Sequence, residues 1–407
     1  MWLKLRNLLA GGIFSKLLLG LANVWVIRGL SQSDFALFNN FLNVQAFISG
    51  LVFTPFLLAS VAKSNLFQIE NKRRLLNALN VIQTLGILFL TLIVWLIGPN
   101  TSVFLFYNQA YFTSLWLGLL ASIFLTLQNL VLSEHQANES FGSYNFINIA
   151  RPLLILLGLG ICSWTGYFSF WPIAAIFMAS AVLSVLKTGR HLMETSLLSG
   201  LRFKALQLRW FWKKAKALIL FFFIRGCVDH IGLFISTRFF SLEEAAGYGV
   251  AFRYYAMADL IIASGHVLFL SSFTKNDALI NRRQLFKWTR ITLPISFLAF
   301  AILPWLSDIY VWINKDIYAH TFSYLLVFAG GLVFYFSFSP AIYALIQKKE
   351  YSFLLGISLV GIAAQIGLSY VGISSHSLWF VALGTVAARS SIYFFSWIRV
   401  YLQSDDR

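Results

Sequence analysis

Two long stretches of the chain contain neither a charged residue nor a histidine. One runs from Leu75 to Ser133 and the other from Pro152 to Leu186. A helix needs about 20 apolar residues to cross the hydrocarbon core of a bilayer. Barrel strands would alternate in polarity, and an open sheet cannot expose its edges to lipid. These stretches therefore predict membrane-spanning helices.

Apolar spans of this kind recur along all 407 residues. We place twelve of them near 8–28, 35–62, 75–97, 110–133, 144–163, 168–187, 215–238, 246–272, 289–310, 319–346, 351–372 and 377–400. Only 11% of the residues are charged, against about 25% in soluble globular proteins. We therefore predict an all-α membrane protein with about 12 transmembrane helices, forming two six-helix bundles around a central cavity.

Basic residues predict the domain boundaries and the orientation in the membrane. The loops assigned to the outside contain only Arg28, Arg238 and Lys315, whereas those assigned to the inside collect most of the lysines and arginines. This asymmetry places both termini in the cytoplasm, and it accounts for most of the net charge of +16 without a nucleic-acid partner. The predicted domains are a bundle at 1–187, a basic cytoplasmic linker at 188–214 and a bundle at 215–407.

The linker contains the basic and aromatic run Leu201–Lys214. Such a run is typical of a helix lying among lipid headgroups, although a basic approach to the seventh span explains it equally well. Two prolines, Pro55 and Pro340, fall within the second and tenth spans. Because proline frees a backbone carbonyl, each is expected to bend its helix, either as a static kink or at a moving part.

A short repeat supports two related halves. The turn Arg28–Phe38 aligns with Arg238–Tyr248 at an offset of 210 residues, and in each a serine lies three residues before an acid. Serine and a following carboxylate favour a helix N-terminus. The pairs Ser31 with Asp34 and Ser241 with Glu244 are therefore predicted to cap the second and eighth spans. With six spans in each half, the repeats would be parallel.

Six charged residues fall well within predicted spans: Lys16, Arg225, Asp229, Arg253, Asp259 and Arg389. Each costs about 2.5–3.5 kcal/mol near the centre of a membrane helix. We therefore expect them to face one another or a wet cavity rather than lipid. Arg225 and Asp229 lie four residues apart and can form an ion pair, beside His230.

The four cations outnumber the two anions, so this cavity would suit an anionic ligand such as a phosphate or diphosphate. Arginine matches phosphate oxygens with its planar fork. We therefore predict that Arg225, Arg253 and Arg389 bind an anionic headgroup, with Lys16 contributing from the first half. Asp229, Asp259 and His230 are alternative candidates for pairing or for coupling to an ion. The amides of the second span, Asn39, Asn40, Asn43 and Gln45, could contact sugar or join helices.

The sequence offers no support for an enzyme. It lacks a phosphate-binding Gly-x-x-x-x-Gly-Lys-Ser/Thr loop, a His-Glu-x-x-His motif and a Gly-x-Ser-x-Gly motif. Cys162 and Cys227 fall within spans, and the histidines have no ligand spacing, so we predict neither a metal site nor a cofactor. A membrane glycan polymerase or ligase is a further alternative, but such enzymes usually carry a large outer loop, and every outer loop here is short.

The turn Arg28–Phe38, together with Glu244–Tyr248, Ala251 and Arg253, resembles an element of polysaccharide exporters. The chain is similar to the Wzx-type O-antigen flippases of the multidrug/oligosaccharidyl-lipid/polysaccharide superfamily in length, span count and linker position. It departs from their pattern at Ser31-Gln32 and at Ala36, where the family has Gly-Pro and glycine.

The resemblance implies a flippase of the bacterial inner membrane. Such a protein would move a polyprenyl-diphosphate-linked oligosaccharide, an O-antigen or capsule repeat unit used in lipopolysaccharide and polysaccharide biosynthesis, by alternating access. Membrane lipids, a glycan polymerase and chain-length proteins are the partners it implies. The closest positional matches to the family's cavity cations are Arg225 and Arg253, followed by Arg389. The alternative is an ion-coupled small-molecule exporter of the same superfamily.

Overall fold

The computed structural model describes residues 2–50, 54–56, 69–137, 140–201, 205–274, 282–314 and 317–403. Within these ranges the chain is helical and contains no β-strand. The helices are α1 (Trp2–Gly29), α2 (Gln32–Gly50), α3 (Ile69–Ile97), α4 (Asn100–Phe106), α5 (Phe112–Ala137), α6 (Phe141–Thr165), α7 (Phe170–Leu201), α8 (Ala205–Phe239), α9 (Leu242–Thr274), α10 (Arg282–Ile302), α11 (Ser307–Asn314), α12 (Phe322–Phe338), α13 (Pro340–Gln347), α14 (Tyr351–Ser374) and α15 (Leu378–Leu402).

Nine stretches of the described chain are long and apolar enough to cross a membrane. They are Gly11–Gly29, Asn77–Ile97, Gln109–Leu132, Gly142–Thr165, Phe211–Phe239, Arg282–Asn314, Ala319–Phe338, Tyr351–Ser374 and Leu378–Leu402. A shorter apolar helix covers Phe170–Ser184. The predicted span 35–62 runs into residues outside the described ranges. The chain is thus an all-α, multi-pass membrane protein.

The structure divides two predicted spans where proline interrupts the helix. Pro340 separates α12 from α13, which it begins, with only Ser339 between the two helices. Pro304 lies in the 3₁₀ turn Leu303–Leu306 that follows α10, so the predicted span 289–310 ends earlier as an α-helix and continues into α11. Proline lacks the N–H that would continue the helical hydrogen bonds. Pro55 lies in a single described turn at 54–56, and its neighbours are outside the described residues.

Both predicted serine caps are confirmed. The hydroxyl of Ser31 accepts a hydrogen bond from the backbone N–H of Asp34 at 3.2 Å, and that of Ser241 accepts one from Glu244 at 3.2 Å. The Glu244 carboxylate also accepts from the backbone N–H of Ser241 at 3.0 Å, which completes a reciprocal capping box. The two copies of the repeat thus begin α2 and α9 in the same way.

The chain forms two compact units. Unit 1 comprises Met1–Ile219 and Thr237–Ala246, and unit 2 comprises Leu220–Ser236 and Gly247–Arg407. The region predicted as a linker is helical in α7 and α8, apart from residues 202–204, which are outside the described ranges. The predicted position of this segment among lipid headgroups stays a prediction, as do the predicted domain boundaries.

In unit 1, α2 packs against α5, α1 packs against α6, and α3 contacts both α5 and α7. Close approach of α2 and α5 depends on Gly118, because a Cβ at this position would lie 2.9 Å from the backbone oxygen of Phe41. Buried amides accompany these contacts. Asn40 donates to the Ser114 hydroxyl at 2.9 Å, and Gln128 donates to that of Ser184 at 3.1 Å.

Unit 1 also includes the C-terminal end of α8. There Arg238 donates to the backbone oxygens of Phe104 and Leu105, at 3.0 and 2.8 Å, and to the Tyr107 hydroxyl at 2.8 Å. Its guanidinium carbon lies 4.2 Å from the centre of the Tyr107 ring. Arg238 therefore satisfies carbonyls at the C-terminus of α4, which no helical N–H can reach.

In unit 2, α15 packs against α12, α13 and α14, and α10 packs against α12. Gly361 and Gly384 bring α14 and α15 into close contact, because a Cβ at either would lie 2.9–3.0 Å from a backbone oxygen of the other helix. Gln365 on α14 donates to the Thr385 hydroxyl on α15 at 3.1 Å and to the Val228 carbonyl on α8 at 3.0 Å. These contacts hold α8, α14 and α15 in register around the charged residues of the unit.

Candidate functional site

Arg389 on α15 forms the centre of an ionic cluster inside unit 2. Its Nε lies 2.5 Å from Oδ1 of Asp229 on α8. Its Nη1 lies 3.3 Å from Oδ1 of Asp259 on α9, and its Nη2 donates to the other Asp259 oxygen at 3.4 Å. Nη1 also donates to the hydroxyl of Tyr255. One guanidinium therefore links three helices.

The three side chains of this cluster are buried to different degrees. The side chain of Arg389 is 10% exposed, and those of Asp229 and Asp259 are 29% and 22% exposed. The guanidinium carbon also lies 5.0 Å from the centre of the Tyr255 ring. Buried charges are tolerated when they are paired and hydrogen-bonded. Every nitrogen of Arg389 has such a partner, which explains how an arginine is accommodated within a membrane helix.

Arg225 occupies a second position in unit 2, where its hydrogen-bond partner is neutral. Its Nη2 donates to the hydroxyl of Tyr393 at 2.9 Å, and its guanidinium lies 5.6 Å from the centre of that ring. The ring of Tyr335 packs against Tyr393 with 4.9 Å between centroids. Within the described residues Arg225 makes no ion pair, and its hydrogen bond here goes to a neutral phenol.

The expected ion pair between Arg225 and Asp229 does not form. Asp229 pairs instead with Arg389, 160 residues further along the chain. A spacing of four residues permits contact on one helix face, but within unit 2 the guanidinium of Arg389 on α15 lies 2.5 Å from the Asp229 carboxylate. The charge of Asp229 is therefore neutralised by an arginine of another helix, α15, rather than by the arginine within α8 that was predicted.

The remaining predicted residues lie in both units. Arg253, half-buried on α9, and His230, half-buried next to Asp229, belong to unit 2. Lys16 is half-buried on α1 in unit 1. Unit 2 thus brings together Asp229, Asp259 and Arg389, and it contains Arg225 and Arg253 on the same two helices, α8 and α9, as the two aspartates.

Two tyrosines contribute to these contacts without having been predicted. Tyr255 and Tyr393 are each 2% exposed, and each places its hydroxyl on a guanidinium. A buried tyrosine usually needs a hydrogen-bond partner for its hydroxyl. The relevant signal was a tyrosine inside a span that also contains arginine, since Tyr255 lies two residues from Arg253 and Tyr393 four from Arg389.

The polar residues of α2 join helices inside unit 1. Asn39, Asn40, Asn43 and Gln45 are at most 6% exposed, and the Asn40 side chain bonds α5 through Ser114. Of the two interpretations of these amides, the structure supports contact between helices at Asn40, whose side chain bonds a neighbouring helix. Within the described residues there is no group of three His, Cys, Asp or Glu side chains placed to hold a metal ion.

No protein-family model and no curated protein matches the sequence significantly. Solved structures do match it. The chain is similar to the lipid II flippase MurJ in an inward-closed conformation, with a TM-score of 0.71, 16% identity, and coverage of 97% of this chain and 89% of that chain.

Two MATE transporters are also similar to the chain. VcmN of Vibrio cholerae has a TM-score of 0.60 and 11% identity, covering 98% of this chain and 95% of that one. An inward-facing multidrug resistance MATE family transporter of the MOP superfamily has a TM-score of 0.57 and 12% identity, covering 97% and 94%. At these identities the likeness concerns the fold, and the chain has the helical fold of MOP superfamily transporters.

Proposed function

We propose that this protein is a flippase that moves a polyprenyl-diphosphate-linked oligosaccharide, such as an O-antigen or capsule repeat unit, across the bacterial inner membrane by alternating access. The observation that carries the proposal is the set of arginines inside unit 2 of a MurJ-like fold. Three arginines, at 225, 253 and 389, occur there with two aspartates, at 229 and 259. The three arginines exceed the two aspartates by one positive charge, which favours an anionic substrate in a cationic cavity.

Within this proposal the arginines have different roles. Arg225 is hydrogen-bonded to a neutral phenol, so a diphosphate oxygen can compete for its N–H groups without displacing a carboxylate. Arg389 is held by two carboxylates, so it can bind substrate only by exchanging one of them. We therefore assign Arg225 as a principal diphosphate ligand, together with Arg253, which the family resemblance also indicates. Arg389 would contribute to the same cavity after exchange, and Lys16 would contribute from unit 1.

The alternative is an ion-coupled small-molecule exporter, which the likeness to MATE transporters supports. The surplus of positive charge in unit 2 disfavours an organic cation as substrate, because a buried cation would be repelled at close range. Asp229, Asp259 and His230 remain candidates for ion coupling.

Flipping of a fluorescent polyprenyl-diphosphate oligosaccharide in proteoliposomes tests the proposal. We expect Arg225→Ala and Arg253→Ala each to lower the flipping rate at subsaturating substrate by about tenfold or more, since each removes charge-assisted hydrogen bonds to the diphosphate. Arg225→Lys should have an intermediate rate, because lysine keeps the charge but loses the planar fork.

Arg399→Ala on α15 is the matched control. Arg399 is 45% exposed and pairs with Glu350, so its loss changes the net charge equally without touching the cluster. If neither Arg225→Ala nor Arg253→Ala changed the flipping rate, the flippase function would stand, but these two arginines would not be diphosphate ligands. Absence of flipping for several lipid-linked glycans, together with export of small molecules, would favour the exporter.

A further inference from the structure

A narrow groove lies between the N-terminal end of α10 and the C-terminal end of α15, in unit 2. It is lined by Arg282, Leu285 and Phe286 from α10 and by Trp397, Val400 and Tyr401 from α15. Both helices pack against α12, so the groove is the space that remains where they diverge at one end of the unit. The positive-inside pattern assigns this end to the cytoplasmic face.

The groove has an apolar floor and an aromatic rim. Leu285 and Val400 are buried, whereas Phe286 is 50% and Tyr401 is 37% exposed. The rings of Trp397 and Tyr401 stack with 5.2 Å between centroids and an interplanar angle of 13°. On α10 the buried residues are Leu285, Thr289 and Thr292, so most of this helix faces outward. In a bilayer, the exposed rings of Phe286 and Tyr401 beside the groove are the surfaces that acyl chains can contact.

Arg282 places a positive charge at the mouth of the groove. Its guanidinium carbon lies 4.0 Å from the centre of the Tyr401 ring, a cation–π contact that orients the planar group. Its N–H groups lie in the guanidinium plane, and the ring occupies only one face of that plane, so these donors can reach an oxyanion. Within the described residues Arg282 forms no ion pair.

Within the described residues, the charges on the first turns of α10 beside the groove have one sign. Exposed Arg283, Lys287 and Arg290 lie on the same first turns of α10, and none of the six lining residues is acidic. A lipid with a net negative headgroup is attracted by about 1 kcal/mol for each basic residue near the surface. A zwitterionic lipid gains less, because its own ammonium offsets the phosphate. The basic residues therefore favour a lipid whose headgroup has a net negative charge.

We propose that the groove is a binding site for an anionic phospholipid of the cytoplasmic leaflet. Arg282 holds the headgroup phosphate, and one acyl chain lies along the exposed rings of Phe286 and Tyr401. The site is separate from the substrate-binding arginines and goes beyond the proposed transport function. It holds a lipid of the surrounding membrane and fixes the cytoplasmic ends of α10 and α15 against each other.

The test uses the full-length protein purified in a neutral detergent, with thermal unfolding followed as phosphatidylglycerol or phosphatidylcholine is added. We expect saturable stabilisation by phosphatidylglycerol and a much smaller shift with phosphatidylcholine. Arg282→Gln should weaken the apparent affinity for phosphatidylglycerol by on the order of tenfold or more, because it removes a charged hydrogen-bond donor.

Arg283→Gln is the matched variant, since it removes the same charge from the adjacent residue without lining the groove. Arg283→Gln should weaken phosphatidylglycerol binding by no more than about fivefold, which corresponds to the general attraction of one basic residue near the membrane surface. Tyr401→Leu keeps every charge but removes the ring beneath Arg282, and should also weaken binding, which provides a second test if Arg282→Gln does not fold.

Three results would overturn the site. If Arg282→Gln and Arg283→Gln lowered the affinity for phosphatidylglycerol equally, the lipid would be attracted to a basic surface in general rather than bound in the groove. If phosphatidylcholine stabilised the protein as much as phosphatidylglycerol does, the negative charge of the headgroup would play no part in binding. Binding of a sugar-free polyprenyl diphosphate at least tenfold more tightly than phosphatidylglycerol would identify the groove as a substrate-loading position rather than a phospholipid site.

Discussion

Unit 1 and unit 2 bury polar side chains in different ways. In unit 1 the buried polar groups are mainly amides and hydroxyls, such as Asn40 with Ser114 and Gln128 with Ser184. In unit 2 the central polar group is the ionic cluster of Arg389, Asp229 and Asp259. Both arrangements join helices that are far apart in sequence. Removing one partner leaves an unpaired neutral group in the amide contacts of unit 1, but an unpaired charge in the ionic cluster of unit 2.

The difference is also visible in how completely each group is satisfied. Within the described residues, the side-chain oxygens of Asn40, Asn80 and Gln128 in unit 1, and that of Gln365 in unit 2, have no hydrogen-bond partner. In unit 2 every nitrogen of Arg389 is paired. A neutral amide can tolerate an unused acceptor at moderate cost, whereas a buried charge cannot. Amides can therefore serve as adjustable contacts between helices, while the ionic cluster must form completely.

The largest expected effect is that of Arg389→Met. This change keeps much of the side-chain volume but leaves two carboxylates without their cation, so we expect a loss of about 3–5 kcal/mol in the free energy of unfolding. Chemical unfolding in detergent, followed by tryptophan fluorescence, measures it. Adding Asp229→Asn and Asp259→Asn should recover most of the loss, because the remaining groups are then neutral.

The solvent-exposed pair of Arg399 and Glu350, with 3.5 Å between Nη2 and Oε1, is the comparison for this prediction. Arg399→Met should cost less than about 1 kcal/mol, as is usual for exposed ion pairs. If Arg389→Met were no more destabilising than Arg399→Met, the cluster would not be a structural centre of unit 2, and the contrast between the units would be lost.

A smaller effect is expected for Tyr393→Phe. The change removes the acceptor for Arg225 but keeps the ring beside the guanidinium. Since Arg225 is half-buried and can recruit water, we expect a loss near the lower end of the range for hydrogen bonds to charged groups, about 1.5 kcal/mol. Chemical unfolding measures this change, and Tyr370→Phe, at a tyrosine that is 72% exposed, should be neutral.

Tyr393→Phe also sharpens the assignment of Arg225. If Arg225 binds diphosphate after leaving the phenol, its release should favour substrate binding, and the substrate concentration for half-maximal flipping should fall. A rise in that concentration of the same size as in Arg225→Ala would instead show that Tyr393 is required to position the arginine.

Most of the fold could be predicted from the sequence, because membrane helices have a strong and simple signal. The lengths of apolar runs located helices throughout the described chain, and the Ser31 and Ser241 caps followed from local chemistry. What the pattern missed were interruptions within apolar runs. The residues from Leu303 to Asn314 are apolar enough to continue a span, yet Pro304 ends α10, and α11 begins only at Ser307.

The site was predicted less completely, and the reason is physical. The cost of burying charge identifies which residues need partners, and so singled out Arg389, Asp229 and Asp259. It does not identify the partner, because that depends on which helices pack together. Asp229 could reach Arg225 on its own helix, but it lies against Arg389. Tyr255 and Tyr393 lie in spans that also contain arginine, but this signal was weak because tyrosine is also common at membrane interfaces.

The smallest expected effect is that of Gln83→Leu in unit 1. Gln83 on α3 donates to the backbone oxygen of Ser49 on α2 at 2.6 Å and to the Thr126 hydroxyl on α5 at 3.3 Å. Leucine has a similar size and leaves no charge behind. Hydrogen bonds between membrane helices contribute about 0.6 kcal/mol on average and about 1.7 kcal/mol at most. Two average bonds predict a loss of about 1.2 kcal/mol in the same unfolding measurement, with Ile82→Leu, at a neighbouring residue that is 54% exposed, close to the unaltered protein. A loss as large as that of Arg389→Met would break the comparison, because the amides of unit 1 would then be as indispensable as the ions of unit 2.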